Sequence, residues 1–237
     1  GEYQPEPGQT QCIQSEPGYY VIQGNNSAQT PCPPGTYNPY SGSTSIDSCI
    51  PSPPGAYVQS NGSSNFQLCP SGTYLPLESG ESLSDCIQSQ PGYFSLEGAS
   101  AEVPCPPGQY QPESGQETCL VADLGHYVPE SGSGEQILCP PGTFQYNSSE
   151  SFCFESVPGT YVNLSDPIAS HVCPEGSFQP NYRQIECALS SPGYYVNISN
   201  PTTEIPCEYG FYQPNYSSSS CISSLPGQFV PSTASTT

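Results

Sequence analysis

The residues best equipped for chemistry in this 237-residue chain are thirteen cysteines, at Cys12, Cys32, Cys49, Cys69, Cys86, Cys105, Cys119, Cys139, Cys153, Cys173, Cys187, Cys207 and Cys221. A thiol serves as nucleophile, metal ligand or half of a disulfide, and the surrounding residue types decide which. A nucleophile needs a base, yet the chain has no Lys, and its two histidines, His126 and His171, lie in different half-repeats. Zinc needs paired ligands, and no Cys-x-x-Cys spacing survives. No Asp-x-Asp-x-Asp-Gly loop offers a calcium site. Disulfides remain, and with them an oxidising, extracellular or cell-surface setting. The expectation is a protein that is not an enzyme, with no catalytic or metal-binding residues and no cofactor.

Charge narrows the partners further. Twenty-one Asp and Glu face the single Arg183, for a formal net charge of −20. Nucleic acids and anionic membranes both require a basic patch, so neither is an expected partner. The acids are scattered, which suits a solvated surface, and a thin repeat gives them no enclosed pocket in which a carboxyl pKa would rise for acid–base work. No apolar run is long enough to insert in a bilayer. The other chemistry on offer is covalent modification. Asn-x-Ser sequons occur at Asn25, Asn61, Asn147, Asn163, Asn197 and Asn215, all in loops, and equivalent placement of Asn163 with Asn197 and of Asn147 with Asn215 favours real N-glycan sites. The Ser/Thr runs 217–220 and 232–237 offer O-glycan positions.

What positions these residues is a repeat. The chain holds 30 Pro, 23 Gly and 18 Tyr, no Met and no Trp, and only 33% hydrophobic residues. Burial alone cannot offset ~1–2 kcal/mol of backbone entropy per ordered residue at that composition. From Cys119 onward the cysteine gaps alternate strictly between 20 and 14 residues. A finer period lies inside. Fourteen glycines, at 1, 18, 35, 55, 72, 92, 108, 125, 142, 159, 176, 193, 210 and 227, are each followed two residues later by Tyr or Phe. Short halves carry Cys three residues before this glycine, and long halves carry Ser or Ala there: Ser15, Ser52, Ser89, Ala122, Ser156, Ser190 and Ser224. Two halves make a unit of about 34–37 residues. The units run approximately 1–31, 32–68, 69–104, 105–138, 139–172, 173–206 and 207–237.

Pro-Gly, present in nine of the fourteen halves, supplies a turn, and the aromatic that follows is expected to stack beside a disulfide as the only core such a chain can build. Val after the aromatic in most long halves suggests a short strand. The predicted fold is one of small disulfide-rich repeats, mostly turns and short β-ribbons with almost no helix, stacked as an elongated solenoid or beaded rod. Two nearest-neighbour disulfide schemes respect the repeat: pairing across the short halves strands Cys12, and pairing across the long halves strands Cys221.

The element Cys-Pro-Pro-Gly-x-Tyr closing on a Cys after thirteen intervening residues, as in Cys105 to Cys119, resembles the looped modules of tumour necrosis factor receptor-like and ephrin-receptor-like cysteine-rich repeats. Ser here replaces the second Cys of that family's Cys-x-x-Cys pair, so half of its disulfides are missing and the long halves must be held by other means. The resemblance implies the short-half pairing, 32–49, 69–86, 105–119, 139–153, 173–187 and 207–221, with Cys12 unpaired. The chain starts and stops inside repeats, and it is read as a segment of a longer repetitive polypeptide. Near-uniform repeats point to a glycosylated structural protein that builds a filament, fibre or coat by associating with copies of itself. The resemblance implies a different role, a ligand-binding or stalk ectodomain of a cell-surface receptor.

Overall fold

A computed structural model describes residues 1–24 and 26–237, so the sequon residue Asn25 lies outside the described residues. The chain's turning device is clear at Pro33-Pro34-Gly35-Thr36. The Thr36 N–H donates to the Pro33 carbonyl at 3.2 Å, with Gly35 at φ 78°. Proline at the second position and a positive-φ glycine at the third define a type II turn. Thr36–Tyr37 then leaves extended and pairs antiparallel with Ile50–Pro51, beyond the loop. The Ser52 N–H closes the ribbon on the Gly35 carbonyl at 2.9 Å. Among the described residues this ribbon occurs thirteen times, each time with two residues per strand.

Helix is confined, among the described residues, to two 3₁₀ turns, Ile46–Ser48 and Leu83–Asp85. Both sit in loops whose cysteines are 17 residues apart, whereas the four later loops span 14. One 3₁₀ turn of three residues takes up the difference. The fold is therefore the predicted one of turns, short ribbons and regularly spaced disulfides, and no helix among the described residues is long and apolar enough to cross a membrane.

A ribbon two residues wide is not stable alone, and stacking supplies the rest. The Gly35 N–H donates to the Val58 carbonyl of the next half at 2.8 Å, Val58 N–H donates to Gly80 O at 2.8 Å, and Ser79 N–H returns to Ser52 O at 2.9 Å. The chain divides into two compact units, one of residues 1–106, 110–120 and 131–135, the other of residues 107–109, 121–130 and 136–237. The second unit repeats the ladder, with Gly125 N–H to Gln145 O at 2.9 Å and Ser149 N–H to Ala122 O at 2.9 Å. Backbone groups that a short ribbon leaves unpaired are thus satisfied by the neighbouring half.

The core differs from the sequence expectation. Aromatic side chains were expected to form it, yet most of the fourteen are half-buried and Phe229 is 82% exposed. The buried positions lie three residues either side of the turn glycine. On one side Cys32, Cys69, Cys105, Cys139, Cys173 and Cys207 alternate with Ser15, Ser52, Ser89, Ala122, Ser156 and Ser190, none more than 5% exposed. On the other, Val21, Val58, Val128, Val162, Val196 and Val230 alternate with Asn38, Leu75, Gln111, Gln145, Gln179 and Gln213, none more than 7% exposed. The reason is strand alternation: with the residue after the aromatic turned into the stack, the aromatic itself faces outward over the ribbon. Tyr20 and Tyr57 are the buried exceptions. Both belong to long halves, which have no disulfide, and they pack on that of the following half, Tyr20 on Cys32 and Cys49, and Tyr57 on Cys69 with Leu75 and Cys86 alongside.

Candidate functional site

The surface available for function is made of the loops between each aromatic and the next Cys or Ser, and the fold fixes them in two ways. In the short halves the disulfide closes the loop. The structure joins Cys32 to Cys49, Cys69 to Cys86, Cys105 to Cys119, Cys139 to Cys153, Cys173 to Cys187 and Cys207 to Cys221, with Cα atoms 5.6–5.9 Å apart. Closing a loop of this size is worth roughly 3 kcal/mol in the chain-entropy view. Cys12 is exposed and unpaired.

A second tie inside these loops is a buried carboxamide. The Gln145 Nε2 donates to the Phe152 carbonyl at 2.8 Å while its Oε1 accepts the Asn147 N–H at 3.0 Å. Gln111 does the same with Thr118 O (2.7 Å) and Glu113 N–H (3.1 Å), Gln179 with Glu186 O (2.8 Å) and Asn181 N–H (3.1 Å), and Gln213 with Ser220 O (2.8 Å) and Asn215 N–H (3.1 Å). Each acceptor is the residue just before the loop's second cysteine. Gln4 makes the same pair of bonds, to Gln11 O and from Glu6 N–H, ahead of Cys12. The 17-residue loops carry Asn38 and Leu75 at this position and use their 3₁₀ turns instead. In the second of these, the Asp85 carboxylate accepts the Glu81 and Ser82 N–H groups at 2.8 and 2.9 Å.

Four of the long halves, which lack a disulfide, are held by a side chain three residues before the next Cys. The Glu16 N–H donates to Gln29 Oε1 at 2.8 Å, Gln90 N–H to Glu102 Oε2 at 2.8 Å, Asp123 N–H to Gln136 Oε1 at 2.7 Å, and Ser191 N–H to Glu204 Oε2 at 2.7 Å. The serine three residues before the turn glycine also bonds, as where Ser190 Oγ accepts the Ser218 N–H at 2.8 Å and Ser156 Oγ accepts the Gln184 N–H at 3.0 Å. Neither set of ties was recognised in the sequence. The signal was present, since Gln directly follows the aromatic in five of the seven short halves.

On these loops the sequon residues Asn61, Asn147, Asn163, Asn197 and Asn215 are all exposed. Asn163 Oδ1 accepts the Ser165 N–H and hydroxyl at 3.0 and 2.8 Å, and Asn197 Oδ1 accepts the Ser199 N–H at 2.9 Å, so the Asn and the Ser of each sequon lie side by side. The histidines are apart: His171 packs on Tyr161, ring centroids 5.8 Å apart, and His126 Nδ1 lies 3.2 Å from Leu124 O. Among the described residues no three His, Cys, Asp or Glu side chains gather as a metal cage. Arg183 lies 3.7 Å from Glu155, with about half of each side chain exposed.

One loop departs from the others. Position four after the turn glycine is Pro in six short halves (Pro5, Pro39, Pro76, Pro112, Pro180, Pro214) but Tyr146 in the seventh. The residues flanking that loop's second cysteine are Phe152 and Phe154, where the other six halves have no aromatic. Tyr146 stacks on Phe154 (centroids 5.3 Å apart, planes 13° apart), and Phe152 and Phe144 meet Phe154 at 5.0 and 5.9 Å.

The fold and its ties define a disulfide-rich tandem-repeat protein of an extracellular structural or ectodomain kind. No protein-family profile matches the chain, and no curated protein matches it significantly.

Proposed function

We propose that the chain is a glycosylated, non-catalytic structural repeat protein, a building block of an extracellular filament, fibre or coat. The observation that carries this reading is the recurrence of one set of backbone hydrogen bonds from half to half, such as Gly35 N–H to Val58 O at 2.8 Å and Gly125 N–H to Gln145 O at 2.9 Å. Neighbours of constant geometry give a lattice of equivalent surfaces, which suits self-association. Exposed sequons on successive loops would coat that surface with N-glycans. With −20 charges on each copy, association of copies is opposed at low ionic strength and favoured once salt shortens the Debye length to about 10 Å or less. Electron microscopy of native material across a salt series tests this: fibres of regular axial repeat that grow with salt are expected, and single particles at every salt concentration refute it.

A second reading, a ligand-binding or stalk ectodomain akin to tumour necrosis factor receptors, draws support from one observation. The aromatic loop around Tyr146 breaks the uniformity, as a recognition surface would.

A further inference from the structure

The Tyr146 loop also carries a sequon on the residue that follows, Asn147, and we propose that the aromatic cluster is the seat of this site's own N-glycan. The innermost N-acetylglucosamine would lie on the exposed faces of Tyr146 and Phe152. This rests on the glycoprotein reading above. Tyr146 is 56% and Phe152 48% exposed, an unusual display for rings that stack on Phe154 and through it on Phe144. Four aromatics on one loop form an apolar platform with π faces, and the C–H-rich face of a pyranose is its natural complement. Covalent attachment at the neighbouring residue holds the sugar at high effective concentration, so a weak stacking contact suffices.

The array supplies its own control. Asn215 occupies the same place in its loop, five residues after the turn glycine, and its N–H is held by Gln213 as that of Asn147 is by Gln145. Around Asn215 the equivalents of Tyr146, Phe152 and Phe154 are Pro214, Ser220 and Ile222. The two sites therefore share a backbone and differ in the platform, Asn215 having the exposed ring of Tyr216 beside it but not the stack centred on Phe154. A general docking surface for a soluble ligand would not need a sequon beside it, and a purely structural cluster would bury its rings.

The test uses the full chain made in a glycosylating host fed isotope-labelled glucosamine. Mass spectrometry gives the occupancy of each sequon, and NMR gives the chemical shifts of the sugar protons. Expected at Asn147 are ring-to-sugar NOEs from Tyr146 and Phe152 and upfield ring-current shifts larger than any that Tyr216 produces at Asn215. Both signals vanish in Tyr146→Pro/Phe154→Ile, whose replacements are residues that other halves carry at the same positions. In addition, Asn147→Gln should speed amide exchange in residues 142–155 by about 3- to 10-fold, the range of one aromatic stacking contact, and should have no effect in the double-variant background. A glycan at Asn147 with the same shifts as the one at Asn215 overturns the inference and leaves the glycoprotein reading intact. Occupied sequons elsewhere with Asn147 bare overturn it in the same way. If no sequon is occupied, both fail together.

Discussion

Replacing Gln145 tests whether the buried carboxamide, rather than the disulfide alone, holds the 14-residue loops. Gln145 is fully buried, donating to Phe152 O at 2.8 Å and accepting from Asn147 N–H at 3.0 Å. Gln145→Leu keeps the volume and removes both bonds, leaving one carbonyl and one N–H without their partner. Each such group costs about 1–3 kcal/mol when buried. Both are only partly buried, so water recovers some of that, and a net loss of about 2–4 kcal/mol is expected. An array of repeats does not unfold as one two-state body, so the measurement must be local. Native-state hydrogen exchange at Phe144 and Ser156 reads the opening of this half, because the Ser156 N–H is bonded to Gly142 O at 3.0 Å. Exchange about 30- to 700-fold faster corresponds to that loss. Gln145→Glu sharpens the test. A carboxylate still accepts from Asn147 but cannot donate to Phe152, and burial raises the folded-state pKa above the unfolded value of about 4.3. Ionisation therefore penalises the folded state above the unfolded pKa, and the penalty lifts as pH falls through the raised folded pKa, where the protonated acid donates again. The Glu variant should be deficient at about pH 7 and largely restored at about pH 4.5, while the Leu variant's deficit stays constant. A Leu variant as protected as the parent, or a Glu variant equally deficient at both pH values, would refute the reasoning.

Two other perturbations probe the stack. Ser95 sits at a long-half position where other halves carry Val, is fully buried, and its Oγ finds no hydrogen-bond partner; Ser95→Val should add about 1–2 kcal/mol to local stability in native-state hydrogen exchange, and an unchanged or lower value would contradict it. Gly108 has φ 83°, and a Cβ there would run into the Ser149 carbonyl oxygen, whereas Gly8, at φ 78°, has nothing within 4 Å. Gly108→Ala is expected to cost at least ~2–4 kcal/mol and Gly8→Ala only ~1–2 kcal/mol, the left-handed backbone penalty alone; equal effects on native-state hydrogen exchange around the two sites would remove the close approach as a cause.

The sequence revealed those features whose physics is local. Pro-Gly at a fixed distance from an aromatic can hardly be anything but a turn followed by extended chain, and cysteines at constant spacing read as closed loops. Side-chain direction was less accessible. The aromatic looked like the core because it is the largest apolar group, but the alternation that starts at the turn glycine gives the inner face to the next residue. At that position Val128 and Gln145 are both buried, and hydrophobicity alone flags only the first. Gln145 becomes legible only when loop length is read with it, since Gln accompanies the 14-residue loops while Asn38 and Leu75 accompany the 17-residue ones. Contacts between a half and the second one after it, such as Gly108 against Ser149, run through backbone atoms and leave their trace only in the requirement for glycine.

The same ties explain how so acidic a chain tolerates its charge. With a single Arg, salt bridges cannot organise the structure, and the Arg183–Glu155 pair at 3.7 Å is exposed enough to contribute little. Several carboxylates instead accept backbone N–H groups: Glu102 from Gln90, Glu204 from Ser191, and Asp85 from Glu81 and Ser82. Such bonds turn part of the negative charge into a loop clamp and resist salt better than ion pairs between exposed side chains. Gln29 and Gln136 make the same clamp without any charge, so the position selects an acceptor, not an anion. Ionic strength should then act far more on the proposed association of copies than on the fold of any one chain, because the fold's ties are short and local while repulsion between like-charged chains is long-range and screened. A single experiment separates the two: local amide exchange nearly constant over a salt range in which fibres appear.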